Sequence, residues 1–154
     1  MDCNPNKIKM EVKGAPAPLP RPRLGRGGFY NPKSRHMVHF KAQIRAALPH
    51  TPMFHSDKPL SVDIKFFMKR PNSDFRGEGR MAEMLKTTAA FAKPIHPDID
   101  NLAKLVLDAL NGLFYADDRQ VVKLLLHKFA DSEGGCNGRT VVECSAFQGR
   151  IAGL

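Results

Sequence analysis

Tryptophan is absent from the 154 residues, and cysteine occurs only at Cys3, Cys136 and Cys144. An odd number of cysteines without C-x-x-C spacing excludes a disulfide framework and a zinc knuckle. No apolar run approaches the ~20 residues that span a bilayer, so no membrane role is expected. The start, Met1-Asp2-Cys3-Asn4-Pro5-Asn6, holds no apolar stretch of the kind a secretory signal needs. The expectation is a soluble, cytoplasmic protein in a reducing compartment.

Acidic groups are the other scarcity. There are 15 Asp+Glu against 24 Lys+Arg, a net charge of +9, and their distribution is uneven. Residues 1–60 hold 11 basic and 3 acidic groups, whereas residues 98–154 hold 6 and 8. Five acids (Asp98, Asp100, Asp108, Asp117 and Asp118) fall within 21 residues. Close carboxylates repel and raise one another's pKa, so such a cluster calls for divalent cations or neighbouring Lys/Arg. By default a carboxylate cluster is a solvated patch. The basic remainder points to a polyanion partner, because Lys and Arg gain affinity for phosphates by releasing counterions. Charge alone fits RNA, DNA or an anionic membrane surface equally well.

Apolar residues make up 42%, enough for one buried core, and the length fits a single domain over residues 1–154. Residues 7–13 alternate Ile8, Met10 and Val12 with charged neighbours, the pattern of a half-buried strand. Residues 14–28 are dense in Pro and Gly and read as loop. Met37, Phe40, Ile44 and Leu48 recur at helical spacing over residues 33–48, and Pro49 ends the run. Residues 59–68 alternate again. Residues 70–96 are long for a connection, with a helix possible over 81–91 and a mobile stretch over 70–79.

The clearest helix covers residues 98–111. Ile99, Leu102, Val106 and Leu110 form its stripe, Asp98 is placed to cap it, and Asn111-Gly112 stops it. A short strand through Leu113, Phe114 and Tyr115 then leads to a turn at residues 116–119. Residues 120–129 form a strand whose apolar centre implies burial on both faces, residues 131–138 a hairpin loop, and residues 139–147 a last strand. The ends, 1–6 and 148–154, are expected to fray. Strands and helices mix without strict alternation, which favours an α+β fold, a mixed sheet packed with helices.

Asp98 and Asp100 stand two apart at a helix start, where the chain is still leaving its extended form, so both carboxylates can aim at one point. Lys104 follows one turn after Asp100 on the same face. If Asp117-Asp118 returns toward the helix start, three or four carboxylates meet in a hard, all-oxygen site suited to Mg²⁺ or Mn²⁺. A cation so held on a basic protein is equipped for phosphodiester hydrolysis. Each piece also has a plain explanation. Asp98 serves as a cap, Asp100 and Lys104 as an exposed pair worth ~0.3–0.5 kcal/mol, Asp117-Asp118 as a turn, and Asp108 as a partner for Lys104.

The run Pro97-Asp98-Ile99-Asp100-Asn101-Leu102-x-Lys104, then Asp108-Ala109-Leu110-Asn111-Gly112, then Tyr115-x-Asp117-Asp118-x-Gln120-Val121-Val122 resembles the signature of the RusA family. These are Holliday junction resolvases, endodeoxyribonucleases. Upstream, Pro20-Arg21-Pro22-Arg23 and Tyr30 are similar to the family's N-terminal region. The resemblance implies that Asp98, Asp100 and Asp118 are metal-binding catalytic carboxylates, with Lys104 the catalytic lysine. It implies a supporting role for Asp117 and a structural one for Gln120. It further implies a compact homodimer with two Mg²⁺-dependent sites nicking opposite strands of a four-way junction, and a place at the nucleoid. Two symmetric cuts need two sites related by a two-fold.

Arg21, Arg23, Arg26, Lys33 and Arg35 are the candidate phosphate contacts, the alternative being a solvated loop. Phe29 and Tyr30 either stack on an unpaired base or pack on the helix that follows. Two other functions stay open on sequence alone. One is a nucleic-acid-binding protein without activity, and the other a metal-dependent nuclease for flaps, forks or RNA.

Overall fold

A computed structural model describes residues 7–30, 35–48, 54–76, 89–92, 94–132 and 137–149. Strand β1 (Lys7–Lys13) buries Ile8, Met10 and Val12 and turns its lysines outward. A small hairpin, β2 (Arg23–Gly25) and β3 (Gly28–Tyr30), follows, then helix α1 (Arg35–Ala47), which buries Phe40 and Ile44. Strand β4 (Leu60–Met68) buries five alternate residues, Leu60, Val62, Ile64, Phe66 and Met68. Helix α2 (Ile99–Leu110), strand β5 (Val121–Ala130) and strand β6 (Arg139–Ala146) complete the chain.

The four long strands form one sheet in the order β1-β6-β4-β5. The pairs β1–β6 and β6–β4 are antiparallel and β4–β5 is parallel, so the sheet is mixed and the fold α+β. The parallel pair needs a crossover, and α2 lies within it. The alternation of β4 sends its apolar set to the side where both helices pack, joining Leu102, Val106 and Leu110 of α2 in one core. Those three are fully buried, and truncating any of them to Ala costs about 2–5 kcal/mol.

Several expectations change. The β2–β3 hairpin sits inside what reads as loop, because Gly28 takes φ +108° and lets the chain reverse in two residues. Residues 113–115 are not a strand. They form a turn in which Phe114 and Tyr115 are swallowed by the core, and only an isolated bridge joins Asn111 to Tyr115. Residues 131–138 do not close a hairpin, since β4 lies between β5 and β6. Nor is β5 buried on both faces: it is an edge strand, with Val122, Leu124 and Leu125 exposed.

Part of the stretch expected to be mobile is firmly held. Arg70 is buried, its Nη1 3.0 Å from Asp74 and 3.1 Å from the Ala90 carbonyl, and its Nε donates to the Asp131 carbonyl. Asp131 in turn accepts from Arg139 at 2.7 Å and from the Gly138 N–H at 2.9 Å. Residues 89–92 are not helical; residues 81–88 of the expected helix, residues 77–79, and the termini 1–6 and 150–154 lie outside the described residues. The loop leaving β1 is fastened twice, from Gly14 N–H to the Gly138 carbonyl (3.0 Å) and from Leu19 N–H to the Asn101 carbonyl (3.3 Å).

Candidate active site

Asp98 occupies the N-cap position of α2 in an extended conformation, and its carbonyl accepts the Leu102 N–H at 3.1 Å. Its carboxylate makes no capping hydrogen bond and stays exposed, 3.9 Å from His96 Nδ1. The plain role of side-chain cap is therefore not the one it plays. Asp100 and Lys104 project from the same end of the helix, both exposed. Among the described residues, no ion pair joins Lys104 to Asp100 or to Asp108. Because Leu19 is bonded to Asn101, the following Pro20-Arg21-Pro22 is laid along the helix start. A cleft of about 180 Å³ results, lined by Leu19, Pro20, Arg21, Pro22, Asp98, Asp100, Asn101 and Lys104.

Two carboxylates and two cations thus face one small opening. Arg21 and Lys104 offset the repulsion between the acids and give the cleft groups that can hold a phosphate. Sequence reasoning placed Arg21 among the DNA contacts but not beside the acids. The proximity comes from the Leu19 backbone bond, which leaves no sequence signal.

Asp117 and Asp118 are elsewhere. The chain turns at the far end of α2, where the Tyr115 hydroxyl donates to the Leu107 carbonyl at 3.0 Å. Burial pushes the Tyr115 phenol far above its ordinary range, and electrostatic interaction with Cys144, Asp118 and Asp108 adds to the effect. A one-turn 3₁₀ helix, Asp118–Gln120, follows. Asp117 caps it, accepting from Arg119 N–H at 2.9 Å and pairing with the Arg119 guanidinium at 3.0 Å. Arg119 holds the Asp117 carboxyl below the usual carboxylate range. Gln120 is buried; its Oε1 accepts from Ala116 and Asp117, and its Nε2 donates to the carbonyls of His55 (2.9 Å) and Lys58 (3.2 Å). Asp118 itself is exposed at the start of the turn.

The expected return of Asp117-Asp118 toward the helix start does not occur within one chain. Twelve helical residues carry the backbone about 18 Å from Asp98–Asp100 before it turns. Strand β5 then runs back, and the residue that reaches the helix start is Lys128. Its Nζ donates to the carbonyls of Ile95 (2.7 Å) and Pro97 (3.0 Å). Lys128 was missed from sequence, although a lone cation near the end of an apolar strand is a usable signal. Among the described residues, no three Asp, Glu, His or Cys side chains lie close enough to hold one metal ion.

The remaining basic candidates lie apart from the cleft's lining. Arg23 is on β2, Arg26 at the hairpin tip and Arg35 at the start of α1, all exposed, while Lys33 lies outside the described residues. Phe29 is 81% exposed on β3, so it does not pack on the following helix. The side chain of Tyr30 is outside the described residues.

A family model described as endodeoxyribonuclease RusA matches residues 13–143 of this chain. A Bacillus subtilis (strain 168) protein, named as the uncharacterized protein YqaN, is 35% identical over 142 residues, covering 86% of this chain and 92% of that protein. The matched segment contains Arg21, Asp98, Asp100, Lys104, Asp117 and Asp118.

Proposed function

The chain belongs to the RusA endodeoxyribonuclease family, and on that premise we propose that it is a Mg²⁺-dependent, structure-selective endonuclease that resolves four-way DNA junctions in recombination and repair. The family acts on branched DNA and is in general dependent on a divalent metal. The observation that carries the reading for this chain is the cleft at the start of α2, where Asp98, Asp100, Lys104 and Arg21 meet. Among the described residues no helix is long and apolar enough to cross a membrane, and a DNA substrate places the protein at the nucleoid.

In this reading Asp98 and Asp100 are hard oxygen donors suited to Mg²⁺, with Mn²⁺ as substitute, and Asp118 belongs to the same reaction. Asp117 supports the turn that presents Asp118. Lys104 and Arg21 offer cations to the scissile phosphate and to the charge that develops on it. The exposed hairpin, with Arg23, Arg26 and Phe29, is placed to engage DNA away from the cut, with Arg35 and Lys33 following it in sequence. A homodimer supplies two such sites for paired, symmetric nicks.

Synthetic four-way junctions incubated with the protein and Mg²⁺ should yield paired nicks near the crossover. Asp100→Asn should reduce the rate by at least about 100-fold while junction binding persists, the loss typical of removing one positioned catalytic group. Unchanged cleavage by Asp100→Asn overturns the residue assignment. A second reading draws support from the separation of Asp118 from Asp98 and Asp100 in a single copy: a DNA-binding protein without activity. It predicts binding that falls steeply with salt, indifference to Mg²⁺ and no nicks. A panel of flaps, forks and RNA in the same assay separates junction resolution from other branched-substrate cleavage.

A further inference from the structure

The helix-facing positions of β5 are Leu124, Leu126, Lys128 and Ala130, which pair with the buried Val62, Ile64, Phe66 and Met68 of β4 and share their face. A lysine in that row is out of pattern, because a cation laid on an apolar layer needs partners for its head group. Lys128 is half-buried, and its stem carries the ammonium to two acceptors, the carbonyls of Ile95 at 2.7 Å and Pro97 at 3.0 Å. Among the described residues, these are the hydrogen bonds that hold residues 94–97. The nearest backbone bonds are from Ala130 N–H to the Phe91 carbonyl (2.7 Å) upstream and from Leu102 N–H to the Asp98 carbonyl (3.1 Å) downstream.

The two acids of the cleft therefore rest on different supports. Asp100 stands in the first turn of α2, where the helix fixes its backbone. Asp98 stands just before that turn, extended at φ −65° and ψ 143°, and its carboxylate makes no capping bond that would hold the side chain to the helix. The direction in which its side chain leaves is set by the chain arriving through Pro97, and Lys128 ties that chain down. We propose that Lys128 is a positioning residue for the reaction: by fastening residues 95–97 to β5, it fixes where the Asp98 carboxylate stands relative to Asp100. Oxygen donors to Mg²⁺ must meet near-ideal octahedral geometry, so displacing one of them weakens a site in which every donor is still present. Groups that orient metal ligands without touching the metal typically govern about 10–100-fold in affinity or activity. Charge alone would act in the opposite direction. A cation beside a metal site repels the metal, so removing that cation should tighten divalent binding. The tether rests on the two bonds; its part in the chemistry rests on the nuclease reading above.

Lys128→Met keeps a long, unbranched stem and removes the donor. In the metal-free, full-length protein, hydrogen exchange at the Leu102 amide, which is bonded to the Asp98 carbonyl, should quicken, while Val106 deeper in α2 exchanges as in wild type. The Mn²⁺ dissociation constant, measured without DNA, should rise by about 10–100-fold. Lys123→Met, which removes an exposed cation from the same strand, should leave that constant near wild type. In an Asp98→Asn background Lys128→Met should add no further loss of Mn²⁺ affinity, because it acts through Asp98. Unchanged exchange at Leu102 overturns the tether. Unchanged or tighter Mn²⁺ binding, or losses that simply add to those of Asp98→Asn, overturns the positioning role. So does a junction affinity in EDTA that falls further in Lys128→Met than in Lys123→Met, the mark of a direct phosphate contact. If Lys128→Met fails to fold, Lys128→Gln carries the same comparisons. Failure of the wild type to cut any branched DNA would instead overturn the function proposed above, with amide exchange and Mn²⁺ binding still deciding this inference.

Discussion

Cys144 sits in the middle of β6, fully buried against the core, and burial pushes its thiol up to about 12. The fold therefore keeps it neutral, while an unfolded chain releases the proton near the ordinary thiol value of about 8.5. The unfolded state binds fewer protons above that value, so this residue makes the protein progressively less stable as pH rises from about 9 toward 12. In a Cys3→Ser/Cys136→Ser chain, the remaining thiol should be silent to a colorimetric disulfide reagent at pH 8 and react fully in urea. Arg70 makes a different kind of commitment. It spans Asp74, the Ala90 carbonyl and the Asp131 carbonyl from a buried position, so Arg70→Ala takes a charged donor away from an acid and two carbonyls at once. A loss of about 3–5 kcal/mol in urea unfolding is expected, the usual cost of breaking a buried pair from one side.

At the scale of elements, the β2–β3 hairpin is the part most clearly built to face outward, with Leu24 73% exposed and its cross-strand partner Phe29 81% exposed beside Arg23 and Arg26. Phe29→Ala should weaken binding to a junction, where stacking is interrupted at the crossover and a base face is open to an aromatic ring, by about 1–3 kcal/mol and leave duplex binding nearly unchanged. Arg23→Ala and Arg26→Ala should each flatten the dependence of log affinity on log salt by about 1 for each phosphate that the guanidinium neutralises. Competition titrations at two salt concentrations read both effects. The individual strands and helices were legible because their periods are local: Ile8, Met10 and Val12 alternate, and Leu102, Val106 and Leu110 recur each turn. The hairpin was not, since Pro and Gly density hides a three-residue pairing. The role of β5 was not either, because an apolar run reads alike whether two neighbours cover it or one does.

For the molecule as a whole, the residues of the α2 cleft were legible in the sequence and their full arrangement was not. Asp98, Asp100 and Lys104 meet because they fall within the N-cap and first two turns of one helix. Asp118 is 18 positions from Asp100 in sequence, but residues 101–110 of the intervening stretch are helical and carry it to the opposite end. Spacing says how much chain separates two residues; the direction of the elements decides whether that chain returns. Charge shows the same division of labour. The basic excess lies mainly in residues 1–60, the densest group of acids lies in 98–118, and the two are brought together where residues 14–22 cross the start of α2.

That crossing has a consequence for engineering. Arg21 stands two residues beyond Leu19, the point at which the segment is fastened to Asn101. Despite a composition that looks like a spacer, it behaves as a gauge: inserting a single alanine after Leu19 shifts the guanidinium by one residue from its anchor and past the acids. Such an insertion should leave the melting temperature close to that of the parent while junction turnover falls as far as it does in Arg21→Ala.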